Sequence, residues 1–175
     1  MIIDFYRFFK NIINVFKIFL LKINKLKFVL FFTALTFLAP FITIVINLVL
    51  KYLFRIDLPE IINPFNGNNF LIKFFFVCIL APVLETYVFQ YFFYELFLFK
   101  KKHWPALIFS SALFGLSHFY NPMYVVNTFF IGLVLGLSYI IAKKRKTNPI
   151  LLTIIIHGLH NFIIIVVEVL VKYAV

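Results

Sequence analysis

Apolar residues fill the chain in runs of bilayer length, and the polar positions that interrupt them mark out the elements. From Asp4 to Lys27 the polar residues Asp4, Arg7, Lys10, Asn11, Asn14, Lys17 and Lys22 recur every three or four positions, with Phe5, Phe8, Phe9, Ile12, Val15, Phe16 and Phe19 between them. That period predicts an amphipathic helix in the membrane interface over residues 1–27, and a transmembrane bundle over residues 28–175. Phe28 to Leu50 carries no charge and is long enough to span, with a kink expected at Pro40. Lys51 to Asn69 brings Arg55, Asp57, Pro59, Glu60, Pro64 and Asn66-Gly67-Asn68-Asn69, the composition of a turn and loop. Phe70 to Phe99 as one α-helix would be about 45 Å long against a hydrocarbon core of about 30 Å, so it must tilt, kink or protrude. Pro82 predicts a kink in it and a backbone carbonyl left free inside the bundle. Trp104-Pro105 opens a further span to about Tyr120, Met123 to Ala142 forms the next, and Pro149 opens the last, to about Val171. Gly132 and Gly136 stand in a GxxxG spacing that predicts close helix packing within the monomer.

Composition turns this pattern into a class. Of 175 residues, 64% are hydrophobic and 13% charged, far from the balance of a water-soluble domain. Helix-length apolar runs, rather than strands alternating every second residue, make this an all-α multipass membrane bundle in preference to a barrel. The net charge of +11 is read as orientation, not as nucleic-acid binding. With the amino terminus cytoplasmic, the inner flanks hold Arg7, Lys10, Lys17, Lys22, Lys25, Lys27, Lys100 to Lys102 and Lys143 to Lys146, thirteen positive residues. The outer side holds Lys51, Arg55 and Lys172, with Lys73 near the outer end of its helix. This asymmetry predicts five spans in a multipass protein, of the plasma membrane if the chain is bacterial, with lipid as the immediate partner. The first residues are interrupted by Asp4, Arg7, Lys10 and Lys17 and lack a small-residue cleavage pattern, so they are expected to remain in the mature chain. Cys78, the sole cysteine, can form no intrachain disulfide and reads as a small core residue.

Against this background the ionisable groups within the spans stand out, because such groups face a partner or a wet cavity rather than lipid. Glu85 lies about 20 Å from the cytoplasmic end of its helix, His118 about 20 Å, Asn161 about 18 Å and His157 about 12 Å, at 1.5 Å per residue. Similar depths on three helices predict one shared cavity. His157 and Asn161, four apart, share a helix face, with His160 beside them. Glu95 is expected to reach the inner interface near Lys100 to Lys102, and Glu168 to pair with Lys172 four residues on, with lining an outer mouth of the cavity as its alternative. Tyr87, Tyr91 and Tyr94 read as packing residues near the cavity.

Three stretches carry a resemblance. Glu85-Thr86-Tyr87-Val88-Phe89-Gln90, Phe114-Gly115-Leu116-Ser117-His118 and His157-Gly158-Leu159-His160-Asn161 follow in order the EExxxR, FxxxH and HxxxN signatures of the CAAX-protease and bacteriocin-processing (CPBP) family of intramembrane proteases, also called the Abi or CAAX amino-terminal protease family. The chain resembles that family over about residues 70–171. The resemblance implies peptide-bond hydrolysis in the membrane, with Glu85 as general base, His118 holding the water, and His157 and Asn161 donating to the oxyanion. Thr86 and Gln90 replace the family's second acid and its arginine. Four apart on a helix, they are expected to form a neutral hydrogen-bonding pair that supports the site, as is His160. Two readings of the cofactor stand open: none, or Zn²⁺ held by Glu85, His118 and His157. The substrate is a peptide or protein, prenylated at a CAAX end or bearing a leader, or the chain serves bacteriocin self-immunity. The rivals are a catalytically inactive immunity or chaperone-like protein and a proton-coupled transporter.

Overall fold

In the computed structural model, which describes residues 14–15, 18–56, 59, 69–98 and 102–174, all regular structure is helical. Most of the interfacial helix expected before Lys27, most of the loop from Asp57 to Asn68 and the stretch from Phe99 to Lys101 lie outside the described residues. Residues 18–22 are helical, the chain bends at Ile23, and it restarts at Asn24, whose side chain accepts from the Lys27 amide at 2.8 Å. A short polar side chain satisfying an orphan amide is what begins a helix at this point.

The first span is two helices, α1 (Lys25–Thr36) and α2 (Leu38–Phe54). The bend expected at Pro40 is instead a break at Phe37, whose amide turns back to the Ala34 carbonyl at 3.2 Å. Pro40 thereby falls in the first turn of α2, where its missing N–H removes no hydrogen bond.

The second span, α3 (Phe70–Leu96), alternates α-helical turns with two π-helical stretches, Phe74–Leu80 and Thr86–Phe93. The α-helical turn between them, Ala81–Glu85, holds Pro82 and ends on the carboxylate. A third apolar helix, α4 (His103–Leu116), has 14 residues, or about 21 Å at 1.5 Å per residue. It is shorter than the span expected up to Tyr120, because the chain leaves the helix at Ser117 and turns through Asn121. Then come α5 (Pro122–Lys144) and α6 (Pro149–Ala174). Among the described residues, four stretches are therefore long and apolar enough to cross a membrane, with α4 a shorter fifth.

Large apolar side chains such as Phe41, Ile44, Phe75, Leu84, Phe92 and Ile108 lie on the outside, as a lipid solvent requires of an integral membrane protein. Close approach fills the inside. A Cβ on Gly132 would stand 2.9 Å from the Phe114 ring, and one on Gly136 would stand 2.4 Å from Leu107, so the GxxxG stripe packs α5 against α4 within the chain. Phe28, Phe32, Phe114, Leu135 and Ile156 form one buried cluster, and Tyr94, Leu107 and Tyr139 belong to a second.

Basic residues gather at one end. Arg145 donates to the carbonyls of Leu20 at 2.7 Å and Ile23 at 2.5 Å, with its guanidinium 4.7 Å from the centre of the Phe28 ring. Glu95 reaches this basic end, where it pairs with Lys143 and accepts from the Tyr139 hydroxyl at 3.0 Å. The partner on α5 was invisible in sequence because it lies 48 residues away.

Candidate active site

The site begins with a backbone defect. In the first π-helical stretch the Ala81 amide reaches back five residues to the Phe76 carbonyl. In the same register the Val77 carbonyl would need the amide of residue 82, and Pro82 has none. The free carbonyl expected from Pro82 is therefore that of Val77, and the Asn161 side chain donates to it through Nδ2 at 2.8 Å. One of the two amide protons of Asn161 is committed in this bond, and the other remains to be used.

Gly158 allows the two helices to meet. A Cβ there would lie 2.7 Å from the Cys78 carbonyl oxygen, so only glycine lets the backbone of α6 approach α3 this closely. The approach brings His157 Nε2 to 3.6 Å from Glu85 Oε2. His157 is buried, and its Nδ1 has no hydrogen-bond partner among the described residues. An imidazole proton on Nδ1 would be buried without an acceptor, so the neutral ring carries its proton on Nε2, towards Glu85.

His118 sits just past the end of α4, in the turn to α5. Its Nδ1 is 2.9 Å from the Phe114 carbonyl and 3.1 Å from Ser117 Oγ, while that hydroxyl itself donates to Phe114 at 2.7 Å. Nδ1 therefore holds the proton and Nε2 the lone pair, an assignment made from the hydrogen-bond network. Phe114 packs edge-on against both histidines, with ring centres 5.1 Å from His118 and 5.8 Å from His157. The phenylalanine of the FxxxH pattern thus sets the walls between which the two imidazoles stand.

Glu85, His118, His157 and Asn161 all line one cavity of about 490 Å³, the shared space their depths predicted. His160 lines it too, but its Nδ1 is 2.8 Å from Thr36 Oγ1 and its ring lies 4.8 Å from that of Phe37. The Thr36 hydroxyl donates to Thr33 at 2.6 Å, so His160 donates to Thr36 and ties α6 to the break between α1 and α2.

Thr86 and Gln90 are buried, yet among the described residues the Thr86 hydroxyl and the Gln90 amide oxygen have no hydrogen-bond partner. The expected Thr86–Gln90 pair is not made through these atoms. Both residues lie in the second π-helical stretch, where the i→i+5 register widens the turn and residues four apart no longer stack.

Several cavity residues were not singled out from sequence. Tyr124 packs edge-on to His118 at 5.1 Å, with Tyr120 5.3 Å beyond it. Asn127 and Thr128 line the wall from α5, and an asparagine in the middle of an apolar span was a signal that could have found it. Lys73 and Glu168 line the same cavity and form an ion pair between α3 and α6. Glu168 is thus engaged across the bundle rather than only along its own helix towards Lys172. Tyr87 and Tyr91 are half-exposed and do not line the cavity, and Tyr94 is buried with its hydroxyl 2.5 Å from His103 Nδ1.

The zinc set weighed from sequence is not assembled: among the described residues no three His, Cys, Asp or Glu side chains converge as metal ligands. His118 keeps the Nε2 lone pair beside its Nδ1 bond to Phe114, and His157 Nε2 stands 3.6 Å from Glu85 Oε2. No step below passes through a metal.

No curated protein and no solved structure matches the chain. Comparison with protein families matches residues 67–163, more than half of the chain, to the type II CAAX prenyl endopeptidase Rce1-like family. The match runs from just before α3 to the middle of α6 and so takes in Glu85 on α3, His118 in the α4–α5 turn, and His157 and Asn161 on α6. The chain belongs to the type II CAAX prenyl endopeptidase Rce1-like family.

Proposed function

We propose that the chain hydrolyses a peptide bond inside the membrane with a water activated by Glu85. The approach of His157 Nε2 to 3.6 Å from Glu85 Oε2, in a cavity that also holds His118 and Asn161, supports this reading most directly. Glu85 takes a proton from water, and the hydroxyl attacks the scissile carbonyl carbon. The Nε2 lone pair of His118 accepts the remaining hydrogen of that water and holds it in place. Negative charge then develops on the carbonyl oxygen, where His157 Nε2–H and the second amide proton of Asn161 donate to it. Collapse of the tetrahedral intermediate breaks the C–N bond, and Glu85 returns its proton to the leaving amine. His160, Thr86 and Gln90 act through position: the first by its bond to Thr36, the others as buried residues of the helix that carries Glu85.

The substrate is a peptide or protein with a CAAX-type prenylated end or a leader segment. The protein reconstituted in liposomes should cleave at least one of two probes, a farnesylated CAAX peptide or a leader-bearing precursor peptide, and should do so after treatment with a chelator. Cleavage of neither probe contradicts the reading. Asn161→Ala should lower kcat about 10²- to 10³-fold, the loss typical of one oxyanion donor, with KM little changed. An effect confined to KM would remove Asn161 from the oxyanion site.

A further inference from the structure

Lys73 is the one lysine or arginine among the described residues that line the cavity, and Glu168 pairs with it there. The two partners are not equally placed. The Lys73 side chain is 12% exposed and the Glu168 side chain 36%, so the cation belongs to the wall and its counter-ion stands at the wetter edge. A charge inside an apolar bundle needs a partner of opposite sign, and any carboxylate of suitable geometry supplies one. Lys172, exposed and four residues after Glu168 on α6, can receive the Glu168 carboxylate when another anion takes its place.

The separation from the reacting groups sets a length. α6 is α-helical throughout, so Glu168 lies about 10 Å beyond Asn161 and about 16 Å beyond His157 along its axis, at 1.5 Å per residue. An extended peptide covers at most about 3.3–3.6 Å per residue, so about three residues bridge the first interval and about five the second. On α3 the matching interval runs from Glu85 to Lys73, with Ala81 and Val77 on the cavity wall between them. A peptide whose scissile carbonyl meets His157 and Asn161 therefore brings one of the next few residues to the Lys73 ammonium. A peptide backbone carries an anion at such a point only where the chain ends, as its terminal carboxylate.

The geometry points to Lys73 as the anchor for a terminal carboxylate about three to five residues beyond the scissile bond, with Glu168 holding its place until the peptide enters. The inference deepens the endopeptidase reading and rests on it: it favours a substrate cut close to its carboxyl end over a leader cut from a long precursor. The reverse arrangement, an amino terminus displacing Lys73 from Glu168, would move the more deeply held partner.

The test measures binding to the full chain in lipid nanodiscs, with Glu85→Gln as background so that bound peptide is not consumed. The probes are two N-acetylated tetrapeptides farnesylated on the first residue, identical except that one ends in a carboxylate and the other in an amide. The carboxylate form should bind about ten times more tightly or better, the worth of a hydrogen bond between charged groups. Lys73→Arg should keep that preference, and Glu168→Gln should tighten the carboxylate form further by removing its internal competitor. Lys73→Met alone strands Glu168 without this cation and can fail to fold, so Lys73→Met/Glu168→Gln, neutral at both positions, is the paired variant. In it the two peptides should bind equally. Equal binding in the Glu85→Gln background, or a preference that survives in the neutral pair, overturns the inference. Weaker carboxylate binding by Glu168→Gln contradicts its placeholder role. Binding needs no turnover, so a failure of the endopeptidase reading shows as absent cleavage by the parent protein and leaves the binding ratio readable.

Discussion

Glu85 and His157 are each legible alone as rare polar side chains in apolar helices, but the contact between them depends on residues that looked secondary. Asn161 illustrates the difference. The family resemblance implied a donor to the oxyanion, and the structure adds a bond to the Val77 carbonyl that fixes the side chain before any substrate arrives. Thr86 and Gln90 were read as a pair, and the structure leaves their Oγ1 and Oε1 buried without partners. A buried hydroxyl without a partner carries a desolvation penalty of about 1–3 kcal/mol that an isosteric methyl does not. Thr86→Val should therefore leave thermal stability equal or raised, with cleavage retained, as measured by unfolding in detergent beside the peptide assay. A drop in both would mean that the hydroxyl serves the site.

At the scale of elements, helix existence and order followed from apolar run length, and the lost amide of Pro82 was visible too. The π-helical register was not, because hydrophobic period reports which face is buried and not which carbonyl each amide takes. Nor was the role of Gly158, whose contact with Cys78 joins residues 80 apart in the chain. This contact yields a comparison of two glycines. At Gly158 an added Cβ meets backbone oxygen at 2.7 Å, which cannot move without parting α6 from α3. At Gly136 it meets the end of the Leu107 side chain, which can rotate. Gly158→Ala should destabilise by about 1–3 kcal/mol, the usual range for overpacking, and abolish cleavage. Gly136→Ala should keep most of its activity. Equal effects in the unfolding and cleavage assays would show that the α3–α6 seam has no special bearing on the site.

Among the described residues the molecule is a lipid-facing shell around a cavity lined by Glu85, His118, His157 and Asn161, and its two ends differ. Charge counting had already separated them, but the ties that hold each end were long-range and hidden: Arg145 to Leu20 and Ile23 at one, Lys73 to Glu168 at the other. Arg145→Met keeps the apolar stem over Phe28 and removes both backbone bonds. Trypsin should then cut after Lys22 or Lys25 faster than in the parent protein, while the rest of the bundle stays intact. Unchanged cutting would show that the first segment is held by other contacts. Everything in this arrangement isolates one carboxylate from lipid and keeps it beside His157, so the account stands on Glu85. The most direct test is the cleavage rate of Glu85→Gln in liposomes, with insertion and thermal unfolding measured on the same sample. The variant should fold like the parent and lose about 10²- to 10⁴-fold in rate, the contribution expected of a general base. Cleavage at the parent rate by a folded Glu85→Gln protein would contradict the account.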